Sequence, residues 1–103
     1  MADLFRERHW TRYLPDGFII QVYLKTVRGE IVSFCVALIK DGECVTRYDN
    51  AHGFAHRDVL GQKAASPLEK ERFNTLTLSE VFNYAIKDIS ENYAKYDEEY
   101  RKN

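Results

Sequence analysis

An α+β fold is predicted, an antiparallel four- to five-stranded β-meander with a long C-terminal α-helix packed on one face. Three features of the sequence predict it. Residues 18–26, 32–40 and 43–49 are rich in β-branched and aromatic side chains, the composition of strands. Arg28-Gly29 and Asp41-Gly42 fall between those runs as two-residue hairpin signals. Residues 77–100 carry a single apolar stripe at helical spacing behind a capping motif. The chain of 103 residues is one domain, with its sheet over roughly 5–49, a loop over roughly 50–74 and the helix over roughly 77–100.

Taken in order, Phe5 to Tyr13 sets Arg6, Arg8 and Arg12 among Phe5, His9 and Tyr13, which suits an outer strand with a wet face. Leu14-Pro15-Asp16-Gly17 reads as a turn, Pro presetting φ and Gly taking a left-handed position. The two hairpin signals then fix a register. It sets Lys40 opposite Glu43, Ile39 opposite Cys44, Val36 opposite Arg47, Tyr23 opposite Phe34 and Val22 opposite Cys35. On that register Phe18, Ile20, Val22, Leu24, Cys35, Ala37, Ile39, Cys44, Thr46 and Tyr48 share the face turned to the helix. Tyr23, Lys25, Phe34, Val36 and Arg47 share a mixed face on the other side, suited to a homodimer or partner-protein interface or to stacked RNA bases.

Residues 50–67 show no sustained periodicity, and 68–74 leave room for a short further strand or turn. In the last segment Thr77-Leu78-Ser79-Glu80 matches a capping box. Leu78, Phe82, Ala85, Ile86, Ile89, Tyr93, Tyr96 and Tyr100 then mark the buried stripe.

Composition narrows the function classes. A formal net charge of -1 leaves no broad polycationic footprint, so any nucleic-acid contact must be local. The first residues lack an apolar signal region, and no run reaches the roughly 18 apolar residues of a membrane span. A cytoplasmic protein without membrane attachment is expected. Cys35 and Cys44 are too few for a disulfide framework, and the trial register sets them roughly 13 Å apart at ~3.3 Å per residue.

The chemistry-bearing residues gather between Gly42 and Asp58. His52 and His56 are candidate acid and base catalysts, since imidazoles titrate near neutrality, and Asp49 is placed to orient one of them. Arg47 and Arg57, with Tyr48 and Asn50, are candidate substrate contacts, the arginines countering phosphate charge. Such a set suits metal-independent cleavage of RNA. A metal site built from His52, His56 and Asp49 or Asp58 is weighed and set aside, because Gly53 interrupts a helix there and the Glu of the zinc-protease motif is missing. No glycine-rich phosphate loop or dinucleotide fingerprint occurs, so no cofactor is expected.

The run Gly42-Glu43-Cys44-Val45-Thr46-Arg47-Tyr48-Asp49-Asn50, then His56-Arg57, then the Thr77-Leu78-Ser79-Glu80-Val81-Phe82 helix start, resembles the TumE-like small proteins of bacterial and archaeal toxin-antitoxin loci. Where that group often continues as His-Arg-His, this chain has Asp58 in the third position. The resemblance implies a small toxin-like protein paired with an antitoxin and acting on RNA. The alternative carried forward is a non-enzymatic dimerisation or protein-interaction module.

Overall fold

The computed structural model describes residues 4–59, 69–72 and 76–102. Among the described residues six strands lie in sequence order in one antiparallel sheet: β1 (Phe5–Tyr13), β2 (Phe18–Val27), β3 (Glu30–Lys40), β4 (Glu43–Asp49), β5 (His56–Val59) and β6 (Glu69–Arg72). One helix, α1 (Leu78–Lys102), packs on one face. The predicted meander and helix are therefore present. The meander runs further than the hairpin signals reach, because β5 forms inside the segment expected to be loop. Of that segment, residues 60–68 and 73–75 lie outside the described residues.

Local chemistry explains the turns. Arg28 and Gly29 take φ of 55° and 82°, and Asp41 and Gly42 take 53° and 78°. Two consecutive left-handed residues match the right-handed twist of the flanking strands, which is why X-Gly pairs close two-residue hairpins. At the helix start the capping box closes reciprocally. Glu80 N donates to Thr77 Oγ1 at 3.1 Å, and Thr77 N donates to Glu80 Oε1 at 2.8 Å.

The register departs from the one the turns dictate, and the cause is two bulges. Thr26 pairs with Ile31 but Lys25 pairs with Ser33, so Val32 is an extra residue. Ile39 pairs with Cys44 but Leu38 pairs with Thr46, so Val45 is another. Beyond each bulge the pairing is shifted by one. Tyr23 faces Cys35 rather than Phe34, Val22 faces Val36 rather than Cys35, and Val36 faces Tyr48 rather than Arg47.

A one-residue shift sends every side chain of a strand to the other face. Phe34, Val36 and Leu38 consequently point at the helix, with relative exposures of 1%, 0% and 0%. Cys35, Ala37 and Ile39 turn away from it. The physical reason is volume. Burying each large apolar side chain stabilises the fold by about 1.5–3 kcal/mol, whereas Ser33, Cys35 and Ala37 offer far less apolar surface. The bulges let Ile31 and Phe34, three apart in sequence, both reach the core.

Asn50 reinforces the first bulge. Its Oδ1 accepts from Phe34 N and its Nδ2 donates to Val32 O, each at 3.0 Å. The side chain thereby serves backbone groups on both sides of Ser33, where the regular ladder is disrupted.

The core lies between this face and α1. Phe18, Ile20, Val22, Phe34, Val36, Leu38, Val45, Tyr48 and Ala55 meet Val81, Ala85 and Ile89, with Tyr93, Tyr96 and Tyr100 packed at the margin. The expected stripe packs on this core with its three tyrosines at the margin, but Val81, outside that stripe, is fully buried while Leu78, Phe82 and Ile86 are only partly so. Among the described residues no helix is long and apolar enough to cross a membrane.

Candidate functional site

Strand alternation builds the site on the sheet face turned away from α1. Arg47 pairs with Asp58 and Asp49 pairs with His56 across β4 and β5. Residues two apart on a strand share a face, so the four form a two-by-two block of directly opposed neighbours. The next strand contributes Ala37 and Cys35, opposite Arg47 and Asp49, which floor the block with small side chains.

Within the block each carboxylate divides its oxygens. Arg47 Nη2 donates to Asp58 Oδ2 at 2.6 Å, and Arg47 Nε lies 3.0 Å from Asp49 Oδ2. The second contact is an ion pair by distance, but its angle leaves Nε without a hydrogen bond. On the other side, His56 Nε2 lies 2.9 Å from Asp49 Oδ1 and 3.2 Å from Asp58 Oδ1. His56 Nδ1 sits 3.0 Å from the Phe54 carbonyl oxygen. A carbonyl only accepts, so Nδ1 carries hydrogen and fixes the ring's orientation.

His56 and Asp58 are each 1% exposed, and Asp49 is 9%. Arg47 alone reaches solvent, with its side chain 38% exposed. The hydrogen bond to Asp58, with both carboxylates nearby, holds its guanidinium charged and raises its pKa. Burial, with Asp49 adding to it, pushes the Cys35 thiol up to about 11. Burial likewise raises Cys44, and both cysteines are free. Thiols held protonated in this way are poor nucleophiles.

The other residues singled out in the sequence are dispersed. Arg57 points to the helix side, where its Nη1 donates to Thr46 Oγ1 at 3.2 Å and its guanidinium stacks 4.7 Å from the Tyr96 ring. Tyr48, expected as a substrate contact, is a core residue. Its hydroxyl donates to Asp88 Oδ2 at 2.6 Å, and burial with that bond pushes its pKa upward. Asn50, also expected to bind substrate, is committed to the Val32 and Phe34 backbone. His52 lies in the short helical turn Ala51–Gly53, and its side chain falls outside the described residues.

On the expected interface, Tyr23 and Lys25 do lie on the far face. Tyr23 donates to Glu7 Oε2 at 2.7 Å, which raises its pKa, and Lys25 sits 4.4 Å from the Phe5 ring centroid. Phe34 and Val36 are corrected to the core, because the bulge at Val32 inverts their side.

Asp58 is expected only as an alternative metal ligand, and Asp88 is not expected at any site. Asp58 completes the block, and the signal was the period-two spacing His56-x-Asp58 opposite Arg47-x-Asp49. Asp88 lies buried on α1 and accepts from Tyr48, from Tyr96 at 2.6 Å and from Asn92 Nδ2 at 2.7 Å. Asn92, with φ of -122°, marks a kink there. A lone Asp inside an amphipathic stripe gives no warning of that role.

Fold and block together define a small α+β domain: a six-stranded meander, one helix, and a charged Arg-Asp-His-Asp block on the helix-free side of β4 and β5. The chain belongs to the family described as Domain of unknown function (DUF7718), which matches residues 5–103. No curated protein and no solved structure matches it.

Proposed function

We propose that this is a toxin-like protein that binds single-stranded RNA along the edge strand β1 on the helix side of the sheet. The observation that carries the proposal is a groove of 640 Å³ lined by Arg6, Arg8 and Arg28 over Leu4, Leu24 and Thr26. Among the described residues none of the three arginines forms an ion pair, so their charge is available to an anion. Arg6 and Arg8 follow one another at about 6.6 Å along the strand, two residues of ~3.3 Å each, a spacing suited to successive phosphates of an extended backbone. Arg8 also lies 5.3 Å from the Trp10 ring centroid, and Trp10 is 37% exposed, a platform on which a base can stack.

This reading moves the RNA contact from the loop histidines to β1. His56 is too deeply placed to exchange protons with a polymer at the surface, which weighs against a two-histidine cleavage centre. The resemblance to toxin-antitoxin proteins supports RNA as the target and an antitoxin protein as partner. Fluorescence anisotropy with a labelled single-stranded RNA in 50 mM salt tests the proposal. The parent should bind saturably, and a variant with Arg6, Arg8 and Arg28 all changed to Ala should bind at least about tenfold more weakly. Equal binding by parent and variant would refute it.

A second reading is favoured by the far face, where Tyr13, Ile19 and Ile39 are paired side by side and Tyr13 is 78% exposed. Such a patch suits a second copy or an antitoxin. Light scattering that finds a dimer in the parent and a monomer in Ile39→Lys would favour it over the RNA reading, and a monomeric parent would remove the homodimer.

A further inference from the structure

We infer that Asp49, His56 and Asp58 form a binding site for a divalent transition-metal cation, independently of any RNA contact. Their ligand atoms all lie within 4.8 Å of one another, close enough for one ion to reach all three. The hydrogen on His56 Nδ1 is fixed by the Phe54 carbonyl, so in the neutral ring the lone pair is on Nε2. That lone pair faces two carboxylate oxygens, Asp49 Oδ1 at 2.9 Å and Asp58 Oδ1 at 3.2 Å. A lone pair this close to two carboxylate oxygens is repelled by both unless a positive charge stands among them.

A proton on Nε2 meets this need incompletely. Asp49 Oδ1 already accepts from Ala51 N at 3.1 Å. Asp58 Oδ1, on a side chain 2% exposed, is left with no hydrogen bond and is aimed at the same spot. An unpaired buried carboxylate oxygen is costly, and a cation would satisfy it together with its two neighbours. The surroundings suit a ligand set. A histidine whose second nitrogen donates to a backbone carbonyl is the usual orienting arrangement at metal sites. Arg47 engages only the Oδ2 atoms, leaving both Oδ1 atoms turned toward the imidazole.

One imidazole with two carboxylates favours first-row ions such as Mn²⁺ or Zn²⁺ over Mg²⁺, which prefers an all-oxygen shell. The site is built by strand geometry, with β4 supplying Asp49 and β5 supplying His56 and Asp58.

The test uses the full chain after chelator treatment. Calorimetry with Zn²⁺ should give one site per chain. In amide NMR spectra, substoichiometric Mn²⁺ should broaden resonances centred on residues 47–58. Asp58→Asn should weaken Zn²⁺ binding by at least about tenfold, and Glu98→Gln, on the exposed acidic end of α1, should leave it unchanged. If Asp58→Asn does not fold, the Mn²⁺ broadening on the parent decides alone. Broadening centred on residues 97–99, or no saturable binding below millimolar metal, would overturn the assignment.

Discussion

The two faces of one sheet serve opposite ends. Toward α1, alternate residues of β2 and β3 are apolar and sealed, from Ile20 and Val22 to Phe34, Val36 and Leu38. Away from it, alternate residues of β4 and β5 hold two carboxylates, an imidazole and a guanidinium in direct contact. The apolar side is held by area, which tolerates small adjustments. The charged side is held by pairing, which fails when one partner is removed. What decides which residue goes where is a pair of one-residue bulges, so the difference between core and site rests on Val32 and Val45.

The comparison can be broken most sharply with Phe34 and Tyr23. Chemical denaturation should show Phe34→Ala losing about 3–5 kcal/mol and Tyr23→Ala losing far less. The reverse order would restore the unbulged register. On the charged side, Asp58→Asn should cost about 2–3 kcal/mol, because it strips Arg47 of its closest carboxylate and leaves a buried amide against His56.

A polar interaction inside the apolar side offers the next test. Tyr48→Phe should cost about 1.5–3 kcal/mol by removing one of the donors to buried Asp88. Tyr48 holds its proton more tightly folded than unfolded, so its contribution is complete below pH 10, the ordinary tyrosine value. As pH rises beyond that, the unfolded chain releases the proton first. Parent stability should therefore fall above pH 10, and the fall should be shallower in Tyr48→Phe. The smallest effect concerns the floor of the charged block. With its thiol raised from 9.0 to about 11, Cys35 should react with iodoacetamide at pH 8 about a hundredfold more slowly than an unperturbed thiol, as mass spectrometry of the labelled peptide can follow.

Local signals made much of the fold legible. Arg28-Gly29, Asp41-Gly42 and the Thr77 to Glu80 capping box act through their own backbone, and each does what its residue types dictate. Bulges answer to a competition among distant side chains. Nothing next to Val32 or Val45 states that Phe34 must outrank Cys35 for the space beneath α1. The site inherits the same limit. Asp49, His56 and Arg47 were visible as a cluster, whereas Arg57 and Tyr48 shared it in sequence and left it in space because strand alternation turns neighbours apart. The arginine groove was legible only as a wet strand, since Arg28 joins Arg6 and Arg8 through the pairing of β1 with β2.

RNA affinity compared across the two faces tests the functional account most directly. Anisotropy over a series of salt concentrations should show the Arg6, Arg8 and Arg28 triple alanine variant with weaker binding and a log-log salt slope reduced by about 2, at ~0.7 per lost phosphate contact on a single strand. The far-face double variant Tyr23→Ala with Lys25→Ala should match the parent in both quantities. An unchanged slope in the triple variant, or a loss confined to the far-face variant, would contradict the placement of RNA on β1.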